Sequence, residues 1–353
     1  MNTQTLARSL GFSIALLLGR AGDAHACAGC RNPTMAASRG GDGALEPGAF
    51  RFGASITGTT VHVVHEAGCA DLASCTEVPV QPLYLHDQWL YPLELRLLGE
   101  YGVSELIGIE AQVPLRAVKT SIEYTTPDGT PYEPLDSGVH HRDETIAGPA
   151  DPWLLLRIGS SVASWWLAAR PGVSFPLGKT VDDPFERGDL GLRHQHIQLG
   201  SGTFDPVLVL EASRAFDPLR LDLFAQGQAS LYENSHGYRA PWRVYGGAAL
   251  GTKLIGKLSG SAGLELLHEA AERWDGEIRQ DGNLGRTELL AALSLAQVIG
   301  STQLTLGVRV PLVRQIVIGD EPPGTLSSPL TLSLGFSHVL GDPEGHDHHG
   351  PGH

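Results

Sequence analysis

Between Leu219 and Tyr232 the chain reads LRLDLFAQGQASLY. Leu219, Leu221, Leu223, Ala225, Gly227, Ala229 and Leu231 form one series, and Arg220, Asp222, Gln226, Gln228 and Ser230 form the other, with Phe224 and Tyr232 as its apolar members. Successive side chains on a strand point to opposite faces, so this stretch is a strand with one apolar and one polar face. About twelve such segments follow residue 48. They lie near residues 50 to 64, 89 to 101, 104 to 117, 152 to 160, 163 to 176, 204 to 216, 219 to 232, 242 to 254, 258 to 270, 286 to 298, 302 to 314 and 328 to 340. Their connections alternate in length. YGVSE, IGSSVAS, AFDPL, LIGKL and VIGST are tight turns, whereas the stretches around 65 to 88, 118 to 151, 177 to 203, 233 to 241, 271 to 285 and 315 to 327 are longer.

Alternating long and short connections are what an outer-membrane barrel shows, with short periplasmic turns and longer outer loops. The faces agree with that reading. Leu93, Leu95 and Leu97 oppose Glu94 and Arg96; Ile107, Ile109, Ala111 and Val113 oppose Glu110 and Gln112; Leu304, Leu306, Val308 and Val310 oppose Thr305 and Arg309. A soluble barrel would need the apolar face inside and a more charged exterior than these strands supply. The expected fold is therefore all-β, a transmembrane up-and-down antiparallel β-barrel of about twelve strands over residues 49 to 340, with long outer loops and its apolar face toward lipid. Trp89, Tyr91, Trp153, Trp165, Tyr232 and Trp242 fall near predicted strand ends, where an interfacial aromatic girdle belongs.

Composition supports the same compromise between greasy and wet faces. Hydrophobic residues are 42%, charged residues 18%, and glycine numbers 44. No run of about 18 apolar residues follows the N-terminus, so a membrane crossing must be made by strands. Residues 1 to 26 read as a secretory signal: Arg8 supplies the positive region, Leu10 to Leu18 the apolar region, and Ala24-His25-Ala26 the cleavage site before Cys27. The expected location is the outer membrane of a Gram-negative bacterium, with outer-membrane lipid as surroundings and a small solute as partner. The oligomeric state is open at this stage. A net charge of −14 argues against nucleic acid.

In the strand phase that faces inward lie Glu94, Arg96, Glu100, Glu110, Arg157, Arg170, Glu211, Arg220, Asp222, Arg243, Glu265, Glu288 and Arg309. In a narrow barrel such charges either pair and plug the lumen or line a constriction that selects solutes. The first two outer loops are acidic. They either raise the local cation concentration and repel anions, or bind divalent cations that bridge surface lipids. Residues 27 to 48 form either a small plug with a CxxC motif or a periplasmic leader.

Two further groups carry chemistry. Cys27 and Cys30 give two soft ligands at the spacing of half a metal site, and the tail 341 to 353 carries His346, His348 and His349, which suit copper or zinc. The competing reading makes the cysteines a disulfide and the tail a solvated extension. Cys69 and Cys75 read as a local disulfide of an exported protein. His194 and His196, with His140 and His141, are loop histidines with the same two readings, ligand or surface. The sequence has no G-x-S-x-G, HExxH or phosphate loop, so the expectation is a protein that is not an enzyme.

Three stretches, ETIAGPADPWLLLRIG (Glu144 to Gly159), RPGVSFPLGKT (Arg170 to Thr180) and HIQLGSGTFDPVLVLEASR (His196 to Arg214), resemble the outer-membrane transporter family named for the meta-pathway of phenol degradation. The resemblance covers about residues 144 to 214. It implies a barrel and a transport role, often for small hydrophobic compounds, and it carries no catalytic residues. The function expected from all of this is a channel or transporter that passes small solutes passively through a charged lumen. The alternative is an envelope copper- or zinc-binding protein that uses the barrel as an anchor.

Overall fold

The computed structural model describes residues 45–69, 72, 80–135, 137–139, 142–279, 282–318, 326–328 and 330–341. Its strands in chain order are β1 (Phe50–Thr59), β2 (Val61–Ala67), β3 (Tyr84–Gly102), β4 (Ile107–Thr125), β5 (Glu144–Pro149), β6 (Trp153–Val162), β7 (Trp165–Ser174), β8 (Asp205–Phe216), β9 (Leu219–Gln228), β10 (Tyr238–Arg239), β11 (Arg243–Ile255), β12 (Leu258–Glu269), β13 (Arg273–Trp274), β14 (Arg286–Ile299), β15 (Thr302–Ile316), β16 (Leu326–Ser327) and β17 (Thr331–Leu340). One helix, α1 (Pro184–Asp189), lies between β7 and β8. Antiparallel pairing runs β1, β3, β4, β6, β7, β8, β9, β11, β12, β14, β15, β17 and back to β1, a closed barrel of twelve strands. The seam is long, from Phe50 opposite Leu340 to Thr59 opposite Thr331. Within the ring each of the twelve strands has a paired neighbour on both sides, which is the condition for β-structure in lipid.

The two faces differ as a membrane requires. Leu93, Leu95, Leu97, Ile109, Leu154, Leu156, Leu208, Leu266, Leu293, Leu306 and Leu334 are exposed on the outside, while Glu94, Arg96, Glu100, Glu110, Arg157 and Arg170 are buried inside. Among the described residues no helix is long and apolar enough to cross a membrane, so the strands do the crossing. An apolar belt of leucines on a closed twelve-stranded barrel is the architecture of a bacterial outer-membrane protein, and that is where this chain resides.

Three departures from the sequence expectation have local causes. β3 and β4 run 19 residues each, beyond the expected 89 to 101 and 104 to 117. At roughly 3.3 Å per residue they reach about 60 Å, more than an apolar band about 25 Å tall needs even when tilted. Their outer ends stand clear of lipid, so Asp87 and Glu123 replace leucine on the outward face and the alternating pattern fades there. Second, the expected strand at 152 to 160 begins earlier, as β5. Along β4 the partners step from Leu115 to Gln112, while along the other side they step from Pro149 to Trp153, so that side carries one extra residue. This bulge reverses the phase. Trp153 therefore points inward, buried under the Arg96 guanidinium at 4.9 Å, and is not part of a girdle. Third, β9 ends at Gln228, and Tyr232 lies beyond it, where its hydroxyl accepts the Phe204 N–H.

The other aromatics do mark the boundaries. Trp89, Tyr91 and Trp242 are exposed near the long-loop end. At the tight-turn end Arg214 lies over Trp165 and Phe216, and the Ala163-Ser164 turn takes left-handed backbone at both residues, the geometry of a two-residue hairpin.

Candidate functional site

The lumen is built as two unlike walls. Inward positions on β3, β4, β6 and β7 carry the long charged side chains. Glu94 accepts from Arg96 Nε at 2.9 Å and from Arg116 Nε at 2.7 Å. Nearer the tight turns, Glu100 accepts from Arg51 Nη1 at 2.8 Å and from Arg157 Nε at 2.6 Å. Arg170 bridges Glu110, at 3.5 Å, and Glu211, at 3.0 Å. These groups fill their half of the barrel, and most are buried there without access to solvent. Charges in that environment persist only because each is paired.

The facing wall is lined by small residues. One register row runs from Gly251 on β11 through Ser261, Ser294, Gly307 and Ser333 to Thr57 on β1. The neighbouring row holds Ala296, Thr305, Gly335 and Ser55. Ser294 and Thr305 point inward and are nonetheless exposed, and Gly53, Ser55, Gly307, Ser333 and Gly335 are half-exposed. Water therefore reaches the inside of the barrel along this wall. Arg309 interrupts it, between Ala292 and Thr331 across the strands. Its Nε donates to Glu265 at 2.7 Å and to the Tyr245 hydroxyl at 3.1 Å, while Tyr245 also bonds Glu265. Farther toward the long loops, Arg314 Nε donates to Glu288 at 2.5 Å, with Arg286 beside it.

The long-loop end is narrowed from within. The segment between β7 and β8 turns into the barrel, where Ile197 and Leu199 pack on the inward Val61, Val63, Leu90, Val118 and Ile146. Arg116 Nη1 donates to the Leu199 carbonyl at 3.1 Å, which ties the segment to the charged wall. Its two arms cross at Gly178 and Gly200 over Asp151, which accepts from Gly178 N at 2.8 Å and Ser201 N at 2.6 Å. A Cβ on Gly200 would lie 2.6 Å from the Asp151 carboxylate and 2.7 Å from the Gly178 Cα, so the crossing needs glycine. Above it, α1 begins at the Asp183 cap, and Phe185 leans on Trp274 beside Tyr238, where β10 pairs with β13. Three long loops thus make one cap.

Of the residues expected to face inward, Glu94, Arg96, Glu110, Arg170 and Glu211 lie in the charged wall, and Glu265 and Arg309 pair on the facing side. Arg220 and Asp222 pair at 2.9 Å near the tight turns, and Arg243 lies opposite Gln228 and Glu269 toward the long loops. Arg51, Arg116, Arg286 and Arg314 share these clusters, beyond the inward charges expected from the sequence. Arg116 was legible from phase, being in step with Glu110 and Gln112. His194 and His196 sit in the inserted segment, where the His194 ring bonds the Leu192 carbonyl and His196 packs on Phe185. Among the described residues no group of three or more His, Cys, Asp or Glu side chains is placed to hold a metal ion. Cys27, Cys30, Cys75, His140, His141, His346, His348 and His349 lie outside the described residues; Cys69 N donates to Gln81 O at 3.0 Å.

No protein-family model matches the sequence, and no curated protein does. Among solved structures the chain is similar to an outer membrane channel from Pseudomonas putida F1, with 14% identity and a TM-score of 0.57 over 86% of this chain and all of that one. It is also similar, at a TM-score of 0.39 and 11% identity, to a TodX mutant described as a monoaromatic hydrocarbon channel, over 84% of this chain and 91% of that one. A FadL homologue from Pseudomonas aeruginosa follows at 0.37 and 11%, over 82% and 90%. At these identities the first likeness shows the fold, a barrel of the outer-membrane kind spanning the whole of its counterpart.

Proposed function

We propose that this protein is an outer-membrane channel that passes small solutes passively along the wall of small residues, past the inserted segment between β7 and β8. The observation that carries this reading is the exposure of Ser294 and Thr305 on the inside of a closed barrel whose opposite wall is packed with ion pairs. A barrel serving only as an anchor gains nothing from a hollow half. The description of the Pseudomonas putida F1 structure as an outer membrane channel supports the same reading.

Refolded protein in planar bilayers is expected to give small, steady conductance steps. Gly200→Leu should enlarge them, because the inserted segment can no longer lie against Asp151 and Gly178. Silence from both proteins would sink the proposal.

One feature favours metal capture as a second role. Phe50 lies opposite Leu340, so the segment bearing Cys27 and Cys30 and the segment bearing His346, His348 and His349 are attached to adjacent strand ends. Reduced protein titrated with Cu(I) or Zn(II) should bind, more weakly as pH falls through about 6.5, where imidazole protonates. Affinity unchanged after removal of residues 342 to 353 would exclude the tail.

A further inference from the structure

We infer that the passage selects anions, and that its solutes carry a carboxylate or a comparable oxyanion. This rests on the channel reading above and names the solute class for the same lumen. It also runs against the chain's own net charge of −14.

In three ion pairs along the lumen the arginine is the partner that faces the water. Arg309 is 19% exposed and its partner Glu265 5%; Arg314 is 17% and Glu288 8%; Arg116 is 13% and Glu94 3%. In each pair the arginine gives its Nε edge to a carboxylate lying behind it. The carboxylates are thereby withdrawn into the wall, and the guanidiniums face the solute. For Arg309 and Arg314 the terminal nitrogens Nη1 and Nη2 make no hydrogen bond among the described residues, so these donors are available to a passing ion. Three inward carboxylates reach comparable exposure: Asp222, at 18%, pairs with the more exposed Arg220 at 31%, whereas Glu211, at 18%, stands in front of Arg170 at 4%, and Glu144, at 23%, in front of Arg142 at 13% toward the long loops.

Position along the barrel strengthens the case. Arg314 lies nearest the long loops, Arg116 and Arg309 midway, and Arg220 beside the tight turn that opens β9. Arginine thus recurs from one end of the lumen to the other. A guanidinium edge offers parallel N–H donors that match the two oxygens of a carboxylate, and a lysine ammonium does not reproduce that geometry. Rings or rows of arginine are the ordinary means of favouring anions in a pore, and several weak stations let the ion leave as readily as it arrives. Low-dielectric walls extend the reach of these charges into the narrow water column.

The test is the reversal potential of the wild-type channel in planar bilayers under a tenfold KCl gradient. Chloride is expected to be the more permeant ion by several-fold, and millimolar succinate added to one side should block the chloride current. Arg309→Gln combined with Arg314→Gln should lower the permeability ratio at least several-fold, while Arg309→Lys should hold most of it. Because loss of Arg309 leaves Glu265 with Tyr245 alone, a second variant keeps the pair intact: Ala292→Glu sets a carboxylate opposite Arg309 and should likewise turn the channel toward cations. A wild type that prefers potassium, or a preference that neither variant moves, would overturn the inference and leave the channel reading standing. Absence of any conductance defeats the channel reading and this inference with it.

Discussion

Glu100→Ala is expected to destabilise the folded barrel by about 3 to 5 kcal/mol, the cost of leaving buried charge without its partner. Glu100 holds two guanidiniums, Arg51 and Arg157, and none of the three side chains is more than 3% exposed. Removing the carboxylate strands both cations near the tight-turn end, where no water reaches them. Glu211→Ala is the control. Glu211 is partly exposed and Arg170 keeps Glu110, so the loss there should fall to about 1 kcal/mol or less. Urea unfolding in detergent micelles, followed by the loss of heat-modifiable mobility on gels, reads both. Equal midpoints for the two variants would mean that the packed half of the lumen contributes no more than an ordinary surface pair.

The second large effect separates two adjacent residues of one strand. Leu293 faces lipid and Ser294 faces the hollow half of the lumen. Leu293→Arg places a charge in hydrocarbon and should cost about 2 to 4 kcal/mol at mid-membrane depth. Ser294→Arg places the same charge in water and should leave folding nearly unchanged while narrowing the passage. Folding yield into lipid vesicles distinguishes them. Comparable losses would abolish the distinction between a lipid face and a wet face on this strand.

How much of this could be read in the sequence depended on whether a feature obeyed a period. The barrel was legible because lipid demands leucine at every second position, so Leu93, Leu95 and Leu97, or Leu304 and Leu306, announce the outside directly. The inward phase followed, and with it Glu94, Arg96 and Arg309. What escaped was whatever broke the period. The extra residue before Trp153 inverts the pattern within one strand, and a single tryptophan gives no sign of which way it will turn. The ends of β3 and β4 escaped because beyond the lipid nothing enforces apolar residues. The inserted segment escaped most fully. Ile197 and Leu199 read as part of a loop before a strand, and only the closed barrel brings Val61, Leu90, Val118 and Ile146 around them. Which carboxylate sits behind which arginine is likewise a matter of depth, and depth has no signature in sequence.

Because the buried pairs of Glu94, Glu100 and Glu110 stand on one side and most of the small residues on the other, the interior separates cohesion from gauge. Ser294, Ser333 and Thr305 can be exchanged for larger or smaller side chains without removing a single partner from Glu94, Glu100 or Glu110. Each such exchange alters the bore and leaves the strength of the wall alone. A channel made in this way can be retuned to a new solute one substitution at a time, with no intermediate that fails to assemble in the membrane.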